Sequence, residues 1–368
     1  SEQAGMDLDQ FARGHMEQFI DDLAVLGVQP AEKYPKASQH VEDMVALSQR
    51  LVNKGLAYEK LRSLYFDISR FSGYGKLSGI DINKIKLGAT VDLDNYEKQN
   101  PRDFTLFKRS RLSELRRGIF TQTDWGHVRP SWHIQCAAMS MKYLGNNYDI
   151  YASSRELLFP HHENVNAIAA AITGRPLARF WIHCDRILID GKKVDENDAA
   201  FTLEDLAGMG YTGRLIRYWL FSTHYRKPIT FSDDRLNNAR LSLKRIDQFF
   251  SALKNIKEGR SYAELDQVLY DIKHGFITAM DDDLNISAAM ASLFKNIKKI
   301  NILALERKIS VADTSKILDA FRHMDKVLGF LECDRPVHDS DVHKLIETRN
   351  QARLDHNWAL ADSIRDQL

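Results

Sequence analysis

At 368 residues, 44% hydrophobic and 27% charged, the chain is a globular protein long enough for two or three domains. A formal net charge of +1 neither requires nor excludes a nucleic-acid partner, because RNA-binding enzymes often confine their basic surface to one face. Cys136, Cys184 and Cys333 show no CxxC spacing, which argues against a disulfide scaffold and for a reducing cytosol. No run approaches the roughly 18 to 20 apolar residues of a membrane span, and the first ten residues lack a signal-peptide core. A cytoplasmic protein without a membrane partner is expected.

The apolar positions Phe11, Met16, Phe19, Ile20, Leu23 and Leu26 predict a helix within residues 7–28. Pro30 and Pro35 interrupt it. A second helical pattern covers residues 40–54, with Gly55 as its stop signal. Residues 58–68 are rich in strand formers, and the Gly-punctuated stretch Phe71-Ser72-Gly73-Tyr74-Gly75-Lys76-Leu77-Ser78 reads as a loop. Residues 134–143 predict a helix, residues 148–151 a short strand, and Phe180-Trp181-Ile182-His183 begins a strand-like segment that runs through Ile189. From residue 233 onward strand signals vanish. Successive helical stripes, such as Leu236, Leu243, Ile246 and Phe250, then Ile286, Met290, Leu293 and Ile297, predict a helical bundle. A last amphipathic pattern covers residues 349–364. Asp281-Asp282-Asp283 reads as a solvated, helix-capping acidic turn.

The chemistry-bearing residues concentrate in residues 129–166, where a helix and a strand are flanked by Trp132, Cys136, His161 and His162. An α/β domain presents ligands at the ends of its strands in this way. The segments Arg129-Pro130-Ser131-Trp132-His133-Ile134-Gln135-Cys136 and Phe159-Pro160-His161-His162-Glu163-Asn164 resemble the core signature of cysteinyl-tRNA synthetases, which are class I aminoacyl-tRNA ligases. Leu64-Tyr65-Phe66-Asp67, Tyr74-Gly75-Lys76-Leu77-Ser78 and Asn100-Pro101-Arg102-Asp103-Phe104 resemble that family's connecting insertion, in the same order. Ala279-Met280-Asp281-Asp282-Asp283-Leu284-Asn285 resembles its tRNA-facing helical domain.

The resemblance implies a class I synthetase-type α/β nucleotide-binding fold followed by an all-α bundle. Its implied divisions are residues 1–57 as a helical segment of the catalytic domain and 58–117 as the insertion. Residues 118–232 would be the second half of the Rossmann-like domain, and 233–368 the tRNA-binding-type bundle. The family's first strand, a zinc Cys and the HIGH loop find no counterpart here, so the first half of the nucleotide fold is expected to be absent from this chain.

By the same resemblance Cys136 and His161 match two zinc ligands, and Trp132 matches a wall of the amino-acid pocket. The third ligand of the signature, a Glu, falls on Val165. Lys192 and Lys193 would act in catalysis near ATP, with Lys193, Trp181 and His183 on the nucleotide. The KMSKS position is occupied by Lys193-Val194-Asp195-Glu196-Asn197, with Glu196 where the phosphate-binding Lys would stand. That exchange removes an attraction and adds a repulsion, each of order ~4 kcal/mol at ~4 Å and an effective dielectric near 20. Ala152-Ser153-Ser154-Arg155-Glu156 replaces a Gly-rich turn, and a Cβ there obstructs close approach of a nucleotide. Read from residue type alone, Cys136 is equally a small buried hydrophobe, His161 equally a hydrogen-bonding residue at a helix start, and Lys192-Lys193 a solvated loop.

The expected function is a monomeric ATP-dependent ligase, using magnesium, that activates cysteine or a related amino acid and transfers it to tRNA or another acceptor. Zinc is possible on an incomplete ligand set. The alternative is a degenerate synthetase paralogue without adenylation, serving as an RNA-binding or regulatory protein.

Overall fold

The computed structural model describes residues 5–81, 98–189, 192–193 and 202–333, with positions 357 and 360. In chain order the elements begin with α1 (Leu8–Val25), α2 (Val41–Asn53), β1 (Ala57–Lys60), β2 (Ser63–Phe66), β3 (Phe104–Arg109), α3 (Leu112–Arg116), β4 (Thr121–Thr123) and β5 (Gly126–Pro130). They continue with α4 (Trp132–Leu144), β6 (Tyr148–Ser154), α5 (Glu163–Thr173), β7 (Ala178–Cys184), β8 (Ile187–Ile189) and β9 (Lys192–Lys193). The remainder is α6 (Leu203–Gly208), α7 (Gly213–Leu220), β10 (Ile229–Phe231), α8 (Asp233–Lys254), α9 (Leu265–Asp281), α10 (Ile286–Leu305) and α11 (Val311–Leu328). The amphipathic pattern at 349–364 and the Glu196 loop lie outside the described residues.

The chain divides into two compact units, one of Pro30–Ala199 with Tyr225–Phe231, the other of Ser1–Gln29, Ala200–His224 and Ser232–Leu368. In the first, five antiparallel strands form a sheet in the order β1-β2-β3-β5-β4. β6 and β7 pair in parallel, joined by α5. This is a βαβ unit, the one connection that lets consecutive strands run parallel. β10 pairs in parallel with β8, which pairs antiparallel with β9. One apolar cluster spans α2, the five-stranded sheet, α4 and α5, with Met44, Phe66, Phe107, Ile134, Val165 and Ile168 all fully buried. Phe66 and Phe104 stack at 4.7 Å between ring centroids.

Polar ties lock this unit. Asp103, buried behind β3, accepts the Tyr58 hydroxyl at 2.7 Å and the Ile68 N–H at 3.0 Å. Lys54 reaches across to donate to the carbonyls of Ala171 and Ile172 at 3.0 and 2.9 Å, at the last turn of α5. A cation there satisfies carbonyls that have no partner within the helix.

Among its described residues the second unit has helices and no strand. Phe249 and Phe250 each meet Phe321 edge-on at 5.4 Å within its core. Thr212 caps α7 through the Leu215 N–H, and its first residue is Gly213, where a Cβ would lie 1.9 Å from the carbonyl oxygen of Val25 at the end of α1. Arg214 forks onto Asp247 at 3.0 and 2.7 Å and also donates to the Phe330 carbonyl. The acidic turn after α9 places Asp283 and Leu284 at positive φ, and the side chain that caps α10 is Asn285. Among the described residues no helix is long and apolar enough to cross a membrane.

Asp313 closes the N-terminus of α11. Its carboxylate, 2% exposed, accepts the N–H groups of Ser310 and Tyr262 and the Ser261 hydroxyl. Burial alone would raise this carboxyl, but the hydrogen bonds from Ser310, Tyr262 and Ser261 together hold it below its ordinary value. A folded-state value depressed below the unfolded one means the stabilisation is present above the unfolded carboxyl value near ~4. It is lost as pH falls through the folded value. We expect Asp313→Ala to cost about 2 kcal/mol in urea unfolding at pH 7, with the difference from wild type shrinking below pH ~4. A pH-independent difference would contradict this role.

Candidate active site

The start of α4 and the turn into α5 build the site. Ser131 is extended, with φ −74° and ψ 161°, so α4 starts at Trp132 and projects Trp132 and His133 from its first turn. A turn over Leu158–His162 leads into α5 and buries His161, His162, Glu163 and Asn164 in succession. Four consecutive buried polar residues require partners, and most of them come from Tyr74 to Ser78 and from His133.

Glu163, with no exposure, accepts the Gly75 N–H at 2.9 Å and the Ser78 N–H at 2.7 Å, one on each carboxylate oxygen. The Tyr74 hydroxyl donates to Asn164 Oδ1. That orients the Asn164 amide so that Nδ2–H donates to His133 Nε2 at 3.2 Å. His133 Nε2 is then an acceptor, so its proton sits on Nδ1 and is donated to His161 Nδ1 at 2.9 Å. His161 in turn carries its proton on Nε2. The result is a directed chain, Tyr74 to Asn164 to His133 to His161, with both imidazoles in fixed tautomers.

Electrostatics keeps this chain neutral. Burial pushes His133 down to about 3, helped by His161 and Lys98. Burial also lowers His161, and burial with the Glu163 carboxylate raises Tyr74 so that it stays protonated. Phe104 packs edge-on against His133 at 5.6 Å.

A second aromatic group runs along the parallel pair, from Tyr151 and Trp181 in the middle of β6 and β7 to His183 near the carboxyl end of β7. Trp181 stacks on Tyr151 at 4.4 Å and lies parallel to His183 at 6.1 Å. His183 Nε2 meets His162 Nδ1 at 3.0 Å. Burial, His183 and His161 push His162 down to about 4. The register pairs Tyr151 with Trp181 in mid-strand and Ser153 with His183 one step further along, so Trp181 and His183 share one face of β7.

Two cavities flank α4. One of about 390 Å³ is lined by Trp132, His133, Asn164, Tyr74 and several cationic side chains. The other, about 530 Å³, is lined by Cys136 with Met139, Tyr143, Tyr148 and Tyr151. The three residues expected to share an amino-acid pocket are thus distributed. Trp132, 72% exposed, stands on the first cavity and Cys136 on the second, and His161 is buried and bonded to His133. Lys192 and Lys193 pair through their backbones with Ile189 and Leu188. Trp181 and His183 fall together, whereas the sequence alone does not single out Tyr74, His133, Glu163 or Asn164. The signal for them was present in Tyr-Gly-Lys-Leu-Ser and His-His-Glu-Asn, two motifs whose hydrogen-bonded residues lie 85 to 90 positions apart and whose pairing only the fold shows.

The donors do not fit the zinc that the resemblance implied. Val165 is wholly buried in the apolar cluster and supplies no donor, and burial raises the Cys136 thiol, which disfavours the thiolate a zinc needs. Among the described residues no group of three or more His, Cys, Asp or Glu side chains is placed to hold a metal ion.

Comparison with known proteins fixes the class. The catalytic domain of class I (C) tRNA synthetases matches residues 1–241, and the DALR domain matches residues 275–332. Cysteine–tRNA ligase of Methanosarcina mazei is 35% identical over all of this chain and 79% of its own length. The Chlamydia pneumoniae enzyme of that name is 36% identical over 98% of this chain and 77% of its own length. That of Carboxydothermus hydrogenoformans is 35% identical over 98% and 78%. The chain belongs to the cysteine–tRNA ligase family of class I synthetases.

Because Glu163 satisfies two backbone donors of the Tyr74–Ser78 loop, Glu163→Gln leaves one of them facing an amide N–H. We expect a loss of about 1.5–3 kcal/mol and faster amide hydrogen exchange confined first to Gly75 and Ser78. Unchanged exchange at both amides would contradict the assignment.

Proposed function

We propose that this protein is an ATP-dependent ligase that activates an amino acid and transfers it to tRNA. The observation that carries the reading is the neutral chain from Tyr74 through Asn164 and His133 to His161, set beside the exposed Trp132. Preorganised neutral donors suit amino-acid activation, in which a carboxylate oxygen bonds to the α-phosphorus of ATP as the bond to the β-phosphate breaks and pyrophosphate leaves, and charge builds up that fixed dipoles must stabilise. Trp132 and His161 serve the amino acid. The stack of Tyr151, Trp181 and His183 offers a flat face for a nucleotide that runs toward the carboxyl end of β7, the side on which such folds bind ligands. Lys192 and Lys193 serve the ATP phosphates and their magnesium. The DALR-matched helices would carry the tRNA, and a monomeric, cytoplasmic protein is the form in which we expect this activity.

Cysteine, or an amino acid of similar size, is the substrate that family membership favours. Because the donor set does not fit zinc, selection is assigned to packing and hydrogen bonds around Trp132 and His161, with no role for a metal-bound thiolate. Cys136 and His161 are not proposed as a metal pair. Glu196 at the phosphate-binding position and Val165 at the ligand position favour a second reading, a scaffold that binds RNA without adenylation.

Amino-acid-dependent exchange of labelled pyrophosphate into ATP separates the two. We expect exchange with one amino acid of the twenty, and loss of roughly 100-fold or more in Asn164→Ala, which unlocks both imidazoles. No exchange with any amino acid from folded protein would overturn the ligase reading. The metal assignment is tested separately. Protein dialysed against a chelator should hold well under one zinc per chain by elemental analysis, and a retained stoichiometric zinc would contradict it.

A further inference from the structure

The cavity of about 390 Å³ at the start of α4 carries a charge pattern that amino-acid activation does not use. Lys98, Arg102, Lys108 and Arg129 all line it, and no acidic side chain among the described residues does. Arg129 is anchored by Glu114 at 2.8 Å, which offsets its charge in part, yet its Nε is buried without a hydrogen-bond partner. Ser131, also on the lining, has its hydroxyl buried and unpartnered and leaves the first turn of α4 without a side-chain cap. The helix is 13 residues long. Four cationic side chains and an uncapped helix start therefore converge on one concave space, and uncapped N–H groups at a helix start favour an anion. At the rim Trp132 presents its ring with 72% exposure.

We propose that this cavity binds a small phosphomonoester. Arg102 and Lys108 hold the dianion together with the N–H groups of the first turn of α4, and the planar part of the ligand lies against Trp132. Guanidinium and ammonium donors match a terminal phosphate in charge and geometry. The volume lies at the lower end of the ~300–1,000 Å³ usual for small-molecule sites, and a compact cluster of cations suits one doubly charged group better than a polynucleotide backbone, which spreads single charges along its length. The cavity shares Trp132, His133 and Asn164 with the pocket of the ligase reading, so the phosphomonoester and the amino acid would compete for Trp132, but the inference concerns binding alone and is tested without ligase activity.

Phenyl phosphate is the probe and phenol its uncharged control, with binding measured by calorimetry on the full chain and by fluorescence of Trp132. Wild-type protein should bind phenyl phosphate and not phenol. The double variant Arg102→Gln/Lys108→Gln should bind it roughly tenfold or more weakly. The fluorescence change should vanish in Trp132→Phe, whose exposed position leaves the fold intact and keeps the test valid if the double variant fails to fold. Absence of binding to wild type, equal binding to the double variant, or an undiminished fluorescence change in Trp132→Phe would each overturn the proposal. So would charge-dependent binding of a tRNA transcript alone, which would assign the cavity to a polynucleotide. A negative result here leaves pyrophosphate exchange untouched, and the reverse also holds.

Discussion

The buried carboxylate of Glu163 is the constraint on which the site depends. It sits at the first position of α5 with no exposure and is matched by two backbone N–H groups from a loop 85 or more residues earlier. A carboxylate in that environment is tolerable only with its lone pairs satisfied, so the Tyr74–Ser78 loop is drawn onto the start of α5. That docking brings the Tyr74 hydroxyl to Asn164, and Asn164 then sets His133. The ordering runs from one desolvated charge to the tautomer of a histidine on another helix.

The apolar core supports the same arrangement from below. Ile134 on α4 and Val165 and Ile168 on α5 are fully buried in one cluster with Phe66 and Phe107 of the sheet. The two helices that carry His133 and Asn164 cannot shift without opening that cluster, and well-packed interiors resist such shifts. Val165 belongs to this packing. An acidic residue there would place a carboxylate in an apolar interior, which explains in physical terms why the position contributes to the core and not to a ligand set.

Local periodicity made most elements legible in the sequence. Helices expected at 7–28, 40–54 and 134–143 are observed as Leu8–Val25, Val41–Asn53 and Trp132–Leu144, and the strand expected at 148–151 extends to Ser154. The α/β region followed by a helical bundle was legible too, because the hydrophobic period changes near residue 233. The partners of polar side chains were not. Lys54 on the Ala171 and Ile172 carbonyls, Asp103 on Tyr58 and Ile68, and Tyr74 on Asn164 join residues 35 to 118 positions apart, and no local pattern encodes such pairs. Cys136 was grouped with His161 because the motif places them together; its neighbours Tyr148 and Tyr151 on the second cavity come from β6, which no local pattern links to it.

The central claim is that the site is a neutral, directionally fixed hydrogen-bond chain, and the tautomers of its histidines test it most directly. Two-dimensional ¹⁵N–¹H correlation on histidine-labelled protein distinguishes protonated from bare ring nitrogens. The account predicts His133 with its proton on Nδ1 and Nε2 bare, unchanged from pH 8 down to about pH 4, consistent with a value pushed down to about 3. A His133 that becomes an imidazolium near pH 6, or that carries its proton on Nε2, would contradict it.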